Sequence, residues 1–142
     1  MRDVHSNSYF DPGDRRAERV GDLFAGVAGR YDFINDIQSL GLHRFWKRRL
    51  VRLARVGRGQ RALDLCCGTG DVTFALARTG AEAIGIDFSG AMLAVAERRA
   101  ARLEDRARRE WGGRVHFIEC DALQLPFSES EFDAVTISYG LR

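Results

Sequence analysis

The chain has 142 residues, 45% hydrophobic and 30% charged, which fits one soluble globular domain with one core and excludes two. A formal net charge of +2 is too small to argue for nucleic acid, and no nucleic-acid partner is expected. No apolar run approaches the roughly 20 residues that span a bilayer, and Met1 to Arg16 is polar, without a signal-peptide core. The expected location is therefore the cytoplasm. Three cysteines, two of them adjacent as Cys66 and Cys67, show no spacing that suggests a disulfide framework or a zinc site. Reduced thiols and no metal are expected.

Residues 1–14 contain the turn signal Asp11-Pro12-Gly13-Asp14 and no apolar periodicity, so they read as a flexible arm. From residue 15 to 58 the pattern is helical. Val20, Leu23, Phe24 and Val27 recur at helical spacing, and Tyr31, Phe33, Ile34 and Ile37 follow after Gly29, predicting two short helices. A third is predicted over Leu42 to Val56, with Phe45, Trp46, Leu50 and Leu53 turned toward a core and Arg44, Arg48, Arg52 and Arg55 opposite. Gly57 and Gly59 end it. The basic run from His43 to Arg61 and the mixed-charge cluster from Arg98 to Arg114 read as solvated helix faces, with contact to an anionic surface as the alternative.

After Gln60 the period switches. Strands are predicted at Arg61 to Cys66, Glu82 to Asp87, Val115 to Glu119 and Phe132 to Ser138. Between them lie a helix from Asp71 to Arg78, capped by Asp71 and closed by Gly80, and a long helix capped by Ser89 that reaches toward Trp111. This alternation predicts an α/β fold: an incomplete doubly wound (Rossmann-like) parallel sheet of about four strands with an N-terminal helical extension. Ala134 to Ser138 is apolar on both pleat faces, as an interior strand is, yet it would lie beside the first strand with its other edge bare. The expectation is a sheet truncated after its fourth strand, its edge covered by a further segment, a second copy in a homo-oligomer, or a partner strand.

The turn Cys66-Cys67-Gly68-Thr69-Gly70 between the first strand and its helix places backbone N–H groups around a ligand. A dinucleotide fingerprint needs a third glycine three positions after Gly70, where Thr73 stands, so an NAD-dependent oxidoreductase is disfavoured. Asp64 near the strand end favours S-adenosylmethionine, whose ammonium an acid can hold directly or through water while N–H groups meet its carboxylate. Asp87, closing the second strand, suits two ribose hydroxyls, a role that dinucleotide sites share. Asp121, after the third strand, suits the adenine amine, and the N–H of Ala122 a ring nitrogen. Each acid alone reads as a cap or loop residue. Together at successive strand ends, Asp64, Gly68, Gly70, Asp87 and Asp121 cover each polar part of that cofactor.

From about Val20 to its last residue the chain resembles the ubiquinone and menaquinone biosynthesis C-methyltransferases, the UbiE/MenG type. The resemblance rests on Phe24 to Asp36, on Ser39 to Lys47, on Gly59-Gln60, on Leu63 to Asp71, on Ala122 to Phe127 and on Thr136 to Arg142. It implies S-adenosylmethionine-dependent methylation of a ring carbon of a prenylated demethylmenaquinol or related benzoquinol. It implies cofactor contacts at Thr69, Asp87, Asp121, Ala122 and Ser138, and it makes Tyr31 and Arg142 the catalytic candidates facing the quinol. Residues 15–58 become a substrate-side cap, and 59–142 the first half of the cofactor domain. Cys66 stands where the general motif has its first glycine, and Leu103 to Gly113 looks longer and more charged than the family's loop. The family chain continues well beyond Arg142, so this chain is expected to be weakly active or inactive alone. The alternative is the cofactor-binding subunit of a split methyltransferase, or an interaction module that needs a partner. A membrane-resident quinol also implies peripheral contact of Arg44 to Arg55 with anionic headgroups at the inner membrane face.

Overall fold

The computed structural model describes residues 42–106 and 110–138. The arm, the two N-terminal helices and the candidates Tyr31 and Arg142 lie outside the described residues. In chain order the elements are α1 (Leu42–Ala54), β1 (Arg61–Leu65), α2 (Asp71–Ala77), β2 (Glu82–Asp87), α3 (Gly90–Arg106), β3 (Arg114–Glu119) and β4 (Ala134–Ile137). All strands pair in parallel, in the order β3-β2-β1-β4. The α/β architecture and the place of the fourth strand beside the first are as expected.

The crossovers from β1 to β2 and from β2 to β3 step the same way along the sheet, so their right-handedness puts α2 and α3 on one face. The Arg99 guanidinium of α3 accordingly lies over the Phe74 ring of α2, 5.1 Å from its centroid. That face is lined by Ala62 and Ala83, small enough for Val72, Leu76 and Ala77 of α2 to approach closely, and α1 adds Leu50, Val51 and Ala54. The opposite face presents Leu63, Ile84 and Ile86, which pack against Phe127 and Phe132 of the β3–β4 connection. Arg61 fixes how that connection enters β4: its N–H donates to Asp133 and its guanidinium to Glu131, each at 2.8 Å.

Four local expectations change. The inward stripe of α1 is Lys47, Leu50, Val51 and Ala54, whereas Phe45, Trp46 and Leu53 are 57%, 58% and 67% exposed. Packing of Leu50, Val51 and Ala54 on the α2 side sets that rotation, and Lys47 shares it because its ammonium reaches Asp71 at 2.5 Å. The helix stops at Ala54, with Arg55 in the left-handed region at φ 51, ahead of Gly57. The N-cap of α2 is Gly70, and Asp71 is the first helical residue with its carboxylate engaged elsewhere. Ser89 does cap α3, its hydroxyl accepting the Met92 N–H at 3.4 Å. On β4, Val135 is exposed rather than interior, because among the described residues nothing packs over it.

Gly113 enters β3 against the end of α2. A Cβ there would stand 2.0 Å from the Ala77 carbonyl oxygen and 2.8 Å from that of Ala81, both backbone atoms that cannot swing aside. Gly113→Ala is expected to destabilise the protein by about 3 kcal/mol or more, read as a lower urea midpoint.

Candidate functional site

The site is built where β1 runs into α2. Past Leu65, Cys66 takes a left-handed conformation, φ 54, and the Cys67 N–H donates to the Ile86 carbonyl at 2.9 Å, so the turn leaves the sheet still tied to β2. The Gly68 N–H then donates to Asp87 Oδ2 at 2.8 Å. Gly70, φ 90, donates to the Cys67 carbonyl and accepts the Phe74 N–H, closing the first turn of α2. A Cβ on Gly70 would come within 2.8 Å of Phe117 and 3.0 Å of Phe74, so only glycine satisfies both the backbone angle and the aromatic floor. Those two rings meet edge to face at 5.6 Å.

Asp64 lies beneath this turn, 1% exposed. Its Oδ2 accepts the Thr73 hydroxyl at 2.7 Å and its Oδ1 the Thr136 hydroxyl at 2.9 Å. Burial pushes its pKa up to about 6, against the two hydroxyl hydrogen bonds, which favour the ionised form. Gly85 pairs with Asp64 across the β1–β2 ladder, and a Cβ on it would stand 2.7 Å from Thr73 Oγ1, so the bare glycine leaves the hydroxyl its place.

At the C-terminal ends of the neighbouring strands two further carboxylates border the mouth of the turn. Asp87 is buried, with Oδ1 accepting the Ser89 N–H at 2.9 Å and Oδ2 the Gly68 N–H. Since a carboxylate oxygen has two acceptor directions, each keeps one for a ligand, the arrangement a vicinal diol needs. Its own carbonyl accepts the Cys120 N–H at 3.0 Å, which carries the β2–β3 ladder up to Asp121. Asp121 is exposed, its Oδ1 accepting the Leu123 N–H at 2.9 Å, with Ala122 half-buried beside it. Burial, together with the charges of Asp87, Asp64 and Asp121, holds the Cys66 thiol above its usual range. Burial and the charges of Asp64 and Asp87 do the same to Cys67. Asp87 thus sits against the turn and Asp64 beneath it, with Asp121 at the end of the next strand. Such a mouth suits a ligand with a cationic end and a diol, and opposes a pyrophosphate. Thiolate chemistry is disfavoured there.

Thr69 is buried, with both its carbonyl and its hydroxyl accepting from Arg99 Nη1, at 2.8 and 3.2 Å. Ser138 follows β4 and is half-buried, while Thr136 sits in the β1 ladder opposite Asp64. Sequence reasoning missed three residues. Asp71 accepts from Lys47 at 2.5 Å and from Arg99 Nη2 at 2.6 Å. Its burial would raise its pKa, but those two cations outweigh burial and hold the carboxyl below its usual range. Lys47 and Arg99 belong to charge runs that read as solvated faces, and only a basic residue at inward helical spacing, as Lys47 is to Leu50, Val51 and Ala54, carries a signal of their role. Among the described residues no cluster of His, Cys, Asp and Glu is suited to a metal ion.

A parallel sheet in this order, with a glycine turn after β1 and acids at the ends of β2 and β3, defines the Rossmann-like methyltransferase class. A solved S-adenosylmethionine-dependent methyltransferase from Geobacter sulfurreducens, in complex with S-adenosyl-L-homocysteine, matches it with a TM-score of 0.53 and 30% identity over 66% of this chain and 35% of that one. The family model of the ubiE/COQ5 methyltransferases matches residues 13–142, and the chain belongs to that family. It is 39% identical to the ubiquinone/menaquinone biosynthesis C-methyltransferase UbiE of Azotobacter vinelandii, over 99% of this chain and 56% of the relative. It is 44% identical to a 2-phytyl-1,4-naphtoquinone methyltransferase of Synechococcus elongatus, over 88% of this chain and 52% of the relative. The chain thus spans about half the length of the curated relatives it matches.

Because the Asp64 carboxyl has a folded pKa near 6 against 3.8 unfolded, its contribution to stability is full below pH 3.8 and is lost as pH rises through about 6. The shift corresponds to about 3 kcal/mol. Denaturant melts of the protein and of Asp64→Asn between pH 4 and pH 7 are expected to show the wild type losing stability relative to the variant by an amount of that order. Parallel pH curves would contradict the assignment.

Proposed function

We propose that this chain forms the methyl-donor site of an S-adenosylmethionine-dependent C-methyltransferase that acts on a prenylated demethylmenaquinol or related benzoquinol. The observation that carries the donor half of this reading is Asp87, pinned between the N–H groups of Gly68 and Ser89 with one acceptor direction free on each oxygen. The names of the relatives support the quinone half. When bound, the cofactor supplies a sulfonium methyl for in-line displacement by a ring carbon. Asp87 holds its ribose hydroxyls, Asp121 and Ala122 meet the adenine, and the turn from Gly68 through Thr69 to Gly70 meets the amino-acid end. Asp64 underlies the turn and lends negative charge on the ammonium side, and Ser138 borders the mouth from β4. Alignment dominates such a reaction, with a group that draws the proton from the hydroxyl ortho to the accepting carbon. Tyr31 and Arg142 are the residues assigned to the quinol, Arg142 as a cation near the developing phenolate.

The same reading places a further strand, from a longer polypeptide, a second copy or a partner chain, along the outer edge of β4 beside exposed Val135. It also rests α1 on an anionic membrane surface, where the quinol resides. Arg48, Arg49, Arg52 and Arg55 are exposed together with Phe45 and Trp46, the pairing of cations and aromatics that favours headgroups. No helix of the described residues is long and apolar enough to cross a membrane.

Calorimetry is expected to show saturable binding of S-adenosylhomocysteine, weakened about 100-fold by Asp87→Ala through loss of the diol contacts. Equal affinity in the variant would remove Asp87 from the site. In sedimentation with vesicles, association with anionic but not neutral lipid, falling as salt is raised, is expected for the membrane contact. Salt-independent or absent binding would discard it.

A further inference from the structure

We propose that Lys47, Asp71 and Arg99 form an ion triad that holds the glycine turn in its ligand-ready shape, so that Lys47 and Arg99 are positioning residues for the amino-acid end of the methyl donor. The proposal rests on the methyl-donor reading and specifies which part of the ligand the triad serves.

One guanidinium spans the turn. Arg99 Nη1 donates to the carbonyl and hydroxyl of Thr69, Nη2 donates to Asp71 Oδ1, and the Cζ lies 5.1 Å from the centroid of the Phe74 ring. Residues 69 and 71 flank Gly70, whose φ of 90 is the pivot on which strand becomes helix. A segment with glycines at 68 and 70 has a wide choice of backbone angles, and the planar fork of Arg99 removes much of it by holding both sides of the pivot. Lys47 takes the other Asp71 oxygen. Asp71 is thereby held between α1 and α3, and the start of α2 has little freedom to rotate. A turn ordered before the ligand arrives binds more tightly than one ordered by it. Neither cation touches Asp87 or Asp121 in the described contacts, so the ribose and adenine end is served by other residues.

The test measures calorimetric affinity for two ligands, S-adenosylhomocysteine and 5′-methylthioadenosine, which lacks the amino-acid end. Arg99→Met is expected to weaken S-adenosylhomocysteine about tenfold or more, and methylthioadenosine by less than about threefold. Arg99→Lys, which keeps a cation but not the fork, is expected to fall between. Lys47→Met should shift both in the same sense by less. Thermal melting reports whether each variant is folded; should Arg99→Met not fold, Arg99→Lys and Lys47→Met carry the same comparison, since each leaves Asp71 a cation. Equal losses for the two ligands, or unchanged affinity for S-adenosylhomocysteine in folded variants, would overturn the triad while leaving the methyl-donor site standing. Absence of binding by the wild type to either ligand would overturn the methyl-donor reading, and the triad with it.

Discussion

A buried carboxylate shared between two threonine hydroxyls organises this molecule. Asp64 on β1 is tied to Thr73 on α2 and to Thr136 on β4, so one side chain joins the strand, the helix that follows it and the next strand over. An unpartnered carboxylate at that depth would be costly, and removing either hydroxyl leaves part of that cost uncompensated. The neighbouring positions are shaped around it. Gly85 leaves room for Thr73, and Phe117, in register with Gly85 on β3, floors the turn above. The turn that follows Asp64 therefore starts from a platform fixed in three directions.

Above that platform the turn is defined from outside as well. Isolated surface ion pairs contribute little to stability, because solvent and side-chain entropy offset their attraction. The group around Asp71 differs in geometry: two cations from separate helices meet one carboxylate at the first residue of α2, and the same guanidinium holds the Thr69 backbone. Its effect falls on the shape of residues 68–71 more than on global stability. The platform beneath and the clamp outside leave the remaining side of the turn, toward the ends of β2 and β3, as the mouth.

The chemistry of that mouth follows from which charges it collects. Asp64 lies beneath the turn, Asp87 accepts the Gly68 N–H, and Asp121 stands at the next strand end, so burial and the charges of these acids together hold the Cys66 thiol above its usual range. A glycine turn next to a helix N-terminus ordinarily attracts anions. Here the surrounding acids reverse the balance and leave room for a carboxylate only where N–H groups are local, with positive charge favoured around it. A zwitterionic, sulfonium-bearing ligand matches that pattern.

The order of elements, the parallel sheet, the glycine turn and the acids at the strand ends could all be read along the chain, because each depends on local periodicity or on residues adjacent in sequence. The family could be read too, from short segments such as Leu63 to Asp71. What tertiary structure alone decided are pairings between distant residues. Asp64 with Thr136 and Arg99 with Thr69 are separated by 72 and 30 positions, and no local pattern announces either. The inward face of α1 was also decided there. Both Phe45-Trp46 and Leu50-Val51 offer apolar side chains at helical spacing, and the choice fell to what α2 presents: an apolar surface for Leu50, Val51 and Ala54, and beside it a carboxylate that draws Lys47 inward. Sequence determines which groups are available for burial, whereas complementarity between packed elements determines which of them are buried and with what partner.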